Sequence, residues 1–380
     1  MIVALKELGD IYTGNTPSKK INEYYDSNDI YFVKPDIISD SEVSIISNSS
    51  EYISEKARDK ARIAPQNSIF VTCIGTIGKI GIASDGEFAF NQQINTIKPN
   101  DSIIPKYLAY NLFYSKSRLK AISNAPVVPI INKSQFSEFT INIETDKLKQ
   151  QKIVSILDKL QSIITHLRTQ LEKLDLLVKA RFVEMFGDVV DNDKCYPIKF
   201  LSEIAEYWNG LTYKPEDVSE EGTIVLRSSN IQNSCLDFAD TVRVSCKIGD
   251  KKYVKNNDIL MCSRNGSARL VGKVALIENI SEPMSFGAFM MIIRSNYYYY
   301  LMTYFQMPAF RIQITTGATT TINQITGNML NKIKLPIPDM QTVEKFADFV
   351  KQVDQSKFIL QQELDKTQTL FDSLMQEYFG

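Results

Sequence analysis

Between Asp146 and Phe186 the chain carries no proline or glycine, and its apolar residues fall at Ile153, Ile156/Leu157, Leu160, Ile163/Ile164, Leu167, Leu171, Leu174, Leu177/Val178 and Phe182. Steps alternating between three and four residues put these side chains on one stripe of a helix, as in a coiled-coil seam. The pattern returns less regularly at Phe346, Phe349/Val350, Val353, Leu360, Leu364, Leu370/Phe371, Leu374 and Tyr378. Pro336 and Pro338 stand just before it, where proline suits a helix start and would break an interior. Two long helices are therefore predicted, 146–187 and 340–380. The core of their pairing is expected at Ile153, Leu160, Leu167, Leu171 and Leu174 on the first, and at Phe346, Val353, Leu360, Leu364 and Leu374 on the second. The stretches 1–145 and 188–339 show short β-branched and aromatic runs punctuated by Gly, Asn, Pro and Ser, which predict strand-rich α+β domains.

The second half restates the first at an offset of about 191 to 196 residues. Leu5 to Gly14 parallels Leu201 to Gly210, with apolar, acidic, aromatic and glycine positions in step. Asp36-Ile37 answers Asn230-Ile231, and Ser68-Ile69-Phe70-Val71 answers Asp258-Ile259-Leu260-Met261. Gly78-Lys79 corresponds to Gly272-Lys273, Phe90 to Phe286, and Glu184-Met185-Phe186-Gly187 to Glu377-Tyr378-Phe379-Gly380. A duplicated module follows: domain, helix, domain, helix. A helix of roughly 40 residues is about 60 Å long. If the two seams pack together, this order makes the helices antiparallel, with a globular domain at each end and a pseudo-two-fold internal repeat. Such an arrangement suits two half-sites on DNA, whose turn is about 34 Å.

Composition narrows the class. A length of 380 residues implies more than one core, and 44% hydrophobic with 23% charged residues is ordinary for a globular protein. No run approaches the roughly 18 apolar residues of a membrane span, and Met1 to Asp10 shows no basic, then apolar, leader, so a cytoplasmic protein is expected. The cysteines Cys73, Cys195, Cys235, Cys246 and Cys262 are widely spaced without a Cys-x-x-Cys pair, which argues against a disulfide framework or zinc site. They are expected to be reduced and mostly buried. A net charge of -1 gives no global sign of nucleic-acid binding, so any DNA-binding face must be local.

The order of these elements resembles the specificity subunit of type I restriction-modification systems, over essentially the whole chain. Similar local sequences are Gly14-Asn15-Thr16-Pro17-Ser18, Phe32-Val33-Lys34-Pro35-Asp36-Ile37, Gly75-Thr76-Ile77-Gly78-Lys79, Asn91-Gln92-Gln93-Ile94 and Gln151-Lys152-Ile153-Val154-Ser155-Ile156-Leu157-Asp158. The resemblance implies two target recognition domains, each reading half of a split asymmetric site on double-stranded DNA. It also implies helices that dock two methyltransferase subunits and, through them, restriction subunits. The chain would carry no cofactor, with S-adenosylmethionine and ATP on the partner subunits.

Base reading favours Arg or Lys on guanine and Asn or Gln on adenine, while other polar and basic groups hold phosphates. Candidates in the first domain are Thr16, Ser18, Lys19, Lys20, Lys34, Thr76, Lys79, Asn91, Gln92 and Gln93. In the second they are Arg227, Ser228, Ser229, Asn230, Arg264, Asn265, Ser267, Arg269 and Lys273. Asn91-Gln92-Gln93 becomes Gly287-Ala288-Phe289 in the second half, so the two domains are expected to read different bases. Thr319-Thr320-Thr321 could touch phosphates or form a plain turn, and Tyr297 to Tyr300 suits a core element better than base stacking. No catalytic or metal residue is expected. The single histidine, His166, flanks the helix seam, Gly75-x-x-Gly78-Lys79 lacks P-loop spacing, and neither G-x-G-x-x-G nor an Asn/Asp-Pro-Pro-Tyr/Phe methyltransferase motif is present. The rival readings are a two-headed coiled-coil scaffold for proteins and a self-contained DNA methyltransferase.

Overall fold

The structure, a computed structural model, describes residues 1–123, 128–315 and 323–380. Two compact units emerge, Met1–Thr169 with Gln361–Gly380, and Gln170–Leu360. Both mix strands and helices, giving an α+β fold.

In the first unit the strands run in the order Gly9–Thr13, Ile94–Pro99, Ile69–Thr72, Ile80–Ala83, Ser44–Ile46. Ile69–Thr72 and Ile80–Ala83 are buried at every position, which accounts for their apolar runs without polar alternation. A second sheet pairs Ile30–Val33 with Phe88–Phe90 in parallel, Val33 opposite Phe90. The second unit repeats this plan. Glu206–Asn209, Met290–Arg294, Ile259–Cys262 and Val274–Leu276 form one sheet in that order. Thr223–Leu226 pairs in parallel with Met284–Phe286, Leu226 opposite Phe286.

The two long helices are Lys147–Phe186 and Met340–Phe379. Asp146 opens the first by accepting from the Leu148 amide at 2.8 Å, and Gly187, at φ +74°, closes it with its amide on the Val183 carbonyl at 2.8 Å. Asp339 opens the second by accepting from the Thr342 hydroxyl and amide, bonds that hold its carboxyl below the ordinary aspartate range.

Each helix is divided between the units, and neither unit's core is complete without both. In the first unit, Asp158 accepts from Lys106 at 2.8 Å and Tyr110 at 2.7 Å, while Gln150 accepts from the Ile104 amide and donates to the Glu144 carbonyl. Phe371 and Phe379 of the second helix face Tyr110 and Tyr107, and Arg168 donates to Gln368. In the second unit, Phe182 and Phe186 pack against Tyr300 and Phe346. Asp175 meets Lys357 there and Phe182 meets Phe346, so within this unit the helix segments run antiparallel.

This sharing corrects the expected seam. Leu167, Phe346, Val353 and Leu364 are buried, but Ile153, Leu160, Leu171, Leu174, Leu360 and Leu374 are only half-buried. Val154, Leu157 and Ile164 are buried in their place, while Ile156 and Ile163 are exposed. The first helix turns part of its apolar face to its own globular domain, where Asp158 and Gln150 are anchored, and a single-partner heptad does not anticipate that. One further expectation changes, that the cysteines are mostly buried, while the reading of Tyr297 to Tyr300 as a core element holds. Among the cysteines, all free, only Cys73 and Cys262 are buried, and Cys195 and Cys235 are exposed. Tyr299 and Tyr300 are core residues whose hydroxyls donate to Glu278 and the Pro336 carbonyl. No helix among the described residues is long and apolar enough to cross a membrane.

Phe182→Ala should lower stability by about 3–5 kcal/mol, since a fully buried ring is lost from an aromatic cluster. Phe358→Ala, on the same helix pair but 64% exposed, should change it by less than about 0.5 kcal/mol. Urea unfolding followed by the fluorescence of Trp208, the single tryptophan, reads both.

Candidate nucleic-acid interface

In the first unit the loop after Thr13 and the loop 90–93 meet at the carboxyl ends of the parallel strands Ile30–Val33 and Phe88–Phe90, where Asn91 N donates to the Val33 carbonyl and Asn15 N to the Phe90 carbonyl. The loop after Thr13 is also pinned by Gly14 N donating to the Ile94 carbonyl. A side chain at Gly14 would stand 2.2 Å from the Asn91 carbonyl oxygen, so this approach requires glycine. The loop 90–93 is tied to the first sheet by Cys73 N donating to the Gln93 carbonyl. In the second unit Gly210 N donates to the Met290 carbonyl, Leu211 N to the Phe286 carbonyl and Ser263 N to the Phe289 carbonyl, and a Cβ on Gly210 would lie 2.1 Å from the Phe286 oxygen.

On this frame the candidate residues divide. Thr16 donates to Gln92 Oε1 at 2.8 Å, which brings the Gly14-to-Ser18 loop and the 90–93 loop into one rim. Ser18 and Gln92 are exposed on it, and Lys19, Lys20 and Thr76 are exposed as well. Lys34 is paired with Glu51, and Lys79 Nζ donates to the Pro35 carbonyl at 3.0 Å. Asn91 is buried and donates to Gln93 Oε1 at 2.9 Å. In the second unit Arg264, Ser267 and Arg269 are exposed, and Asn265 donates to Ser228 Oγ at 3.2 Å. Arg227 pairs with Asp240 at 2.8 Å, Ser229 is half-buried, and Lys273 Nζ donates to the Ile231 carbonyl at 2.8 Å. Asn230 is fully buried, donating to the Asp237 and Asp240 carbonyls and accepting from the Arg227 amide.

Asn91 and Asn230 are thus corrected from base readers to loop supports: their amides are consumed by the backbone and by Gln93. Phe289 is the residue passed over as a contact. It lies 60% exposed at the place of Gln93, with the Arg264 guanidinium 5.4 Å from its ring centroid. Its signal was the replacement of Asn91-Gln92-Gln93 by Gly287-Ala288-Phe289. The run Thr319-Thr320-Thr321 lies outside the described residues. Burial pushes the Cys73 thiol up to about 12 and also raises Cys262, so neither is a ready nucleophile. No cluster of metal-ligating side chains occurs among the described residues.

Comparison with known proteins gives one consistent result. The family model described as the type I restriction modification DNA specificity domain matches residues 1–175 and again 194–367. The type I restriction enzyme MjaIX specificity subunit of Methanocaldococcus jannaschii is 26% identical over 296 residues, 72% of this chain and 68% of that protein. The MjaVIII specificity subunit of the same organism is 24% identical over 331 residues, 79% of this chain and 75% of that one. The S subunit of M. genitalium shares the fold with a TM-score of 0.57 at 16% identity, covering 100% of this chain and 96% of that one. A chain from a study of assembly and conformational transition of the type I R-M system gives 0.55 at 13% identity, covering 100% and 97%.

Asn230→Ala should cost the second unit about 1–3 kcal/mol by removing the buried amide that ties the Asp237 and Asp240 carbonyls to the Arg227 amide, whereas Ser267→Ala, at an exposed position, should leave the melting temperature unchanged. Differential scanning calorimetry distinguishes the two.

Proposed function

The chain belongs to the family of type I restriction-modification DNA specificity proteins, and on that premise we propose that it reads a bipartite, asymmetric site on double-stranded DNA, one half with each unit. The observation that carries this reading is the rim built twice on one backbone plan with different side chains: Thr16, Gln92 and Gln93 in the first unit, Arg264 and Phe289 in the second. An exposed Gln offers the donor and acceptor that suit adenine, and Arg suits guanine, while an exposed ring suits the thymine methyl group or a base face. Ser18, Lys19, Lys20, Ser267 and Arg269 are suited to phosphates, which position a reader without specifying sequence.

In this reading the subunit is non-catalytic. It docks two methyltransferase subunits, and restriction subunits through them, with S-adenosylmethionine and ATP held by those partners. Exposed apolar residues on the long helices support protein docking: Ile156 and Ile163 in the first unit, Leu176, Phe358 and Ile359 in the second.

Co-expression with the cognate methyltransferase subunit, followed by mapping of methylated adenines, should reveal two short unlike sequences around a fixed gap. Gln92→Ala should relax one half of that motif and Phe289→Ala the other, each by about 1–3 kcal/mol of discrimination. Methylation without a split motif, or both variants relaxing the same half, counts against the reading.

A further inference from the structure

The two units differ in charge at one matched place. A Cβ on Gly78 would stand 2.8 Å from the Lys116 side chain, and a Cβ on Gly272 would stand 3.0 Å from the Arg311 guanidinium. Each glycine precedes a lysine whose Nζ donates to a carbonyl of the facing loop, Lys79 to Pro35 and Lys273 to Ile231. Both units therefore set a helix-borne cation beside a loop lysine. In the first unit these cations are answered from within. Lys116 Nζ donates to Asp40 Oδ1 at 2.7 Å and to the Asp40 carbonyl at 2.9 Å. The bond from Lys116, with the charges of Lys116, Lys120 and Lys79, holds the Asp40 carboxyl below the ordinary aspartate range.

Counting forward from the matched Ile37 and Ile231, the position of Asp40 falls to Ser234 in the second unit. Ser234 lines an open cleft of about 550 Å3 together with Lys179, Gly272, Lys273, Gln306 and Arg311. No carboxylate lines this cleft among the described residues, and the half-buried Arg311 guanidinium has no partner among them. Burial accordingly pulls the Arg311 guanidinium below the usual arginine range. Ser234 Oγ donates to Gln306 Oε1 at 3.3 Å, so a hydroxyl and an amide stand beside the cations. Like charges in one partly desolvated cleft repel, and an oxyanion with several acceptors relieves this, guanidinium taking two of its oxygens at once.

We propose that this cleft of the second unit binds a phosphate group, whose oxygens take the place held by the Asp40 carboxylate in the first unit. The inference does not depend on the reading of the rim loops as base readers. A DNA backbone phosphate and free phosphate offer the same chemistry, and the test separates them.

Inorganic phosphate is titrated into the full chain at fixed ionic strength, with binding read by calorimetry and by the melting temperature. Wild type should bind phosphate and melt higher as it is added. Arg311→Gln and Ser234→Asp should each weaken binding by at least about tenfold, as expected for loss of a charge-assisted contact. Ser234 sits at φ +63°, a conformation aspartate tolerates, so Ser234→Asp supplies the missing carboxylate without backbone strain. It should raise the melting temperature in phosphate-free buffer and abolish the response to phosphate. If a DNA duplex displaces phosphate, and Ser234→Asp weakens duplex binding while lowering its salt dependence by about one ion, the source is the DNA backbone. If duplex and phosphate bind together, the site serves free phosphate. No phosphate binding by wild type, or variants that bind as wild type does, overturns the proposal.

Discussion

The aromatic packing of the long-helix ends is the contact on which the rest of the molecule depends. Phe182 and Phe186 lie 5.1 and 5.0 Å from Tyr300 and 5.7 and 5.2 Å from Phe346, centroid to centroid, all fully buried. In the other unit Phe379 and Phe371 lie 5.2 and 6.3 Å from Tyr107 and Tyr110. Such pairs add about 0.5–1.5 kcal/mol each beyond their burial. A globular region of this kind is therefore not self-sufficient: the second unit takes rings from both helices, and the first takes rings from the second helix and aliphatic side chains such as Val154 and Leu157 from the first. The sheets stand on that core, and the rim loops hang from the sheets.

What the rims inherit is a rigid backbone with replaceable side chains. Gly14 and Gly210 allow the same close approach to a facing carbonyl, and the Cys73-to-Gln93 and Ser263-to-Phe289 backbone bonds are equivalent. At the place where the first unit carries Gln93, the second carries Phe289 under an arginine. Binding residues on loops held by a fixed scaffold can change chemistry without changing the frame, and a duplicated frame can then recognise two unlike targets.

Near-neutral overall charge is compatible with this design because charge is balanced place by place. Lys34 with Glu51, Arg227 with Asp240 and Lys116 with Asp40 are cations already answered within their own units. Exposed pairs of this sort add little stability, but they decide which cations remain available to a ligand. The contrast between Asp40 and Ser234 shows the same cationic place closed in one unit and open in the other.

Much of the architecture was legible in the residues alone. The three-four spacing between Asp146 and Phe186, the proline before the second helix and the glycine after the first are local signals, and the helices obey them. The repeat was equally plain, because matched glycines and strand runs recur in the same order at a nearly constant offset. Tertiary structure alone decided which side of each helix is buried, turning Val154 and Leu157 inward and leaving Ile156 and Ile163 outside, since periodicity marks an apolar stripe but not how many partners share it. It also decided which polar loop residues are free. Asn91 and Asn230 look as available in sequence as Gln92, yet their amides are spent inside the fold, and a hydrogen bond to a group brought near by folding leaves no trace in the order of residues.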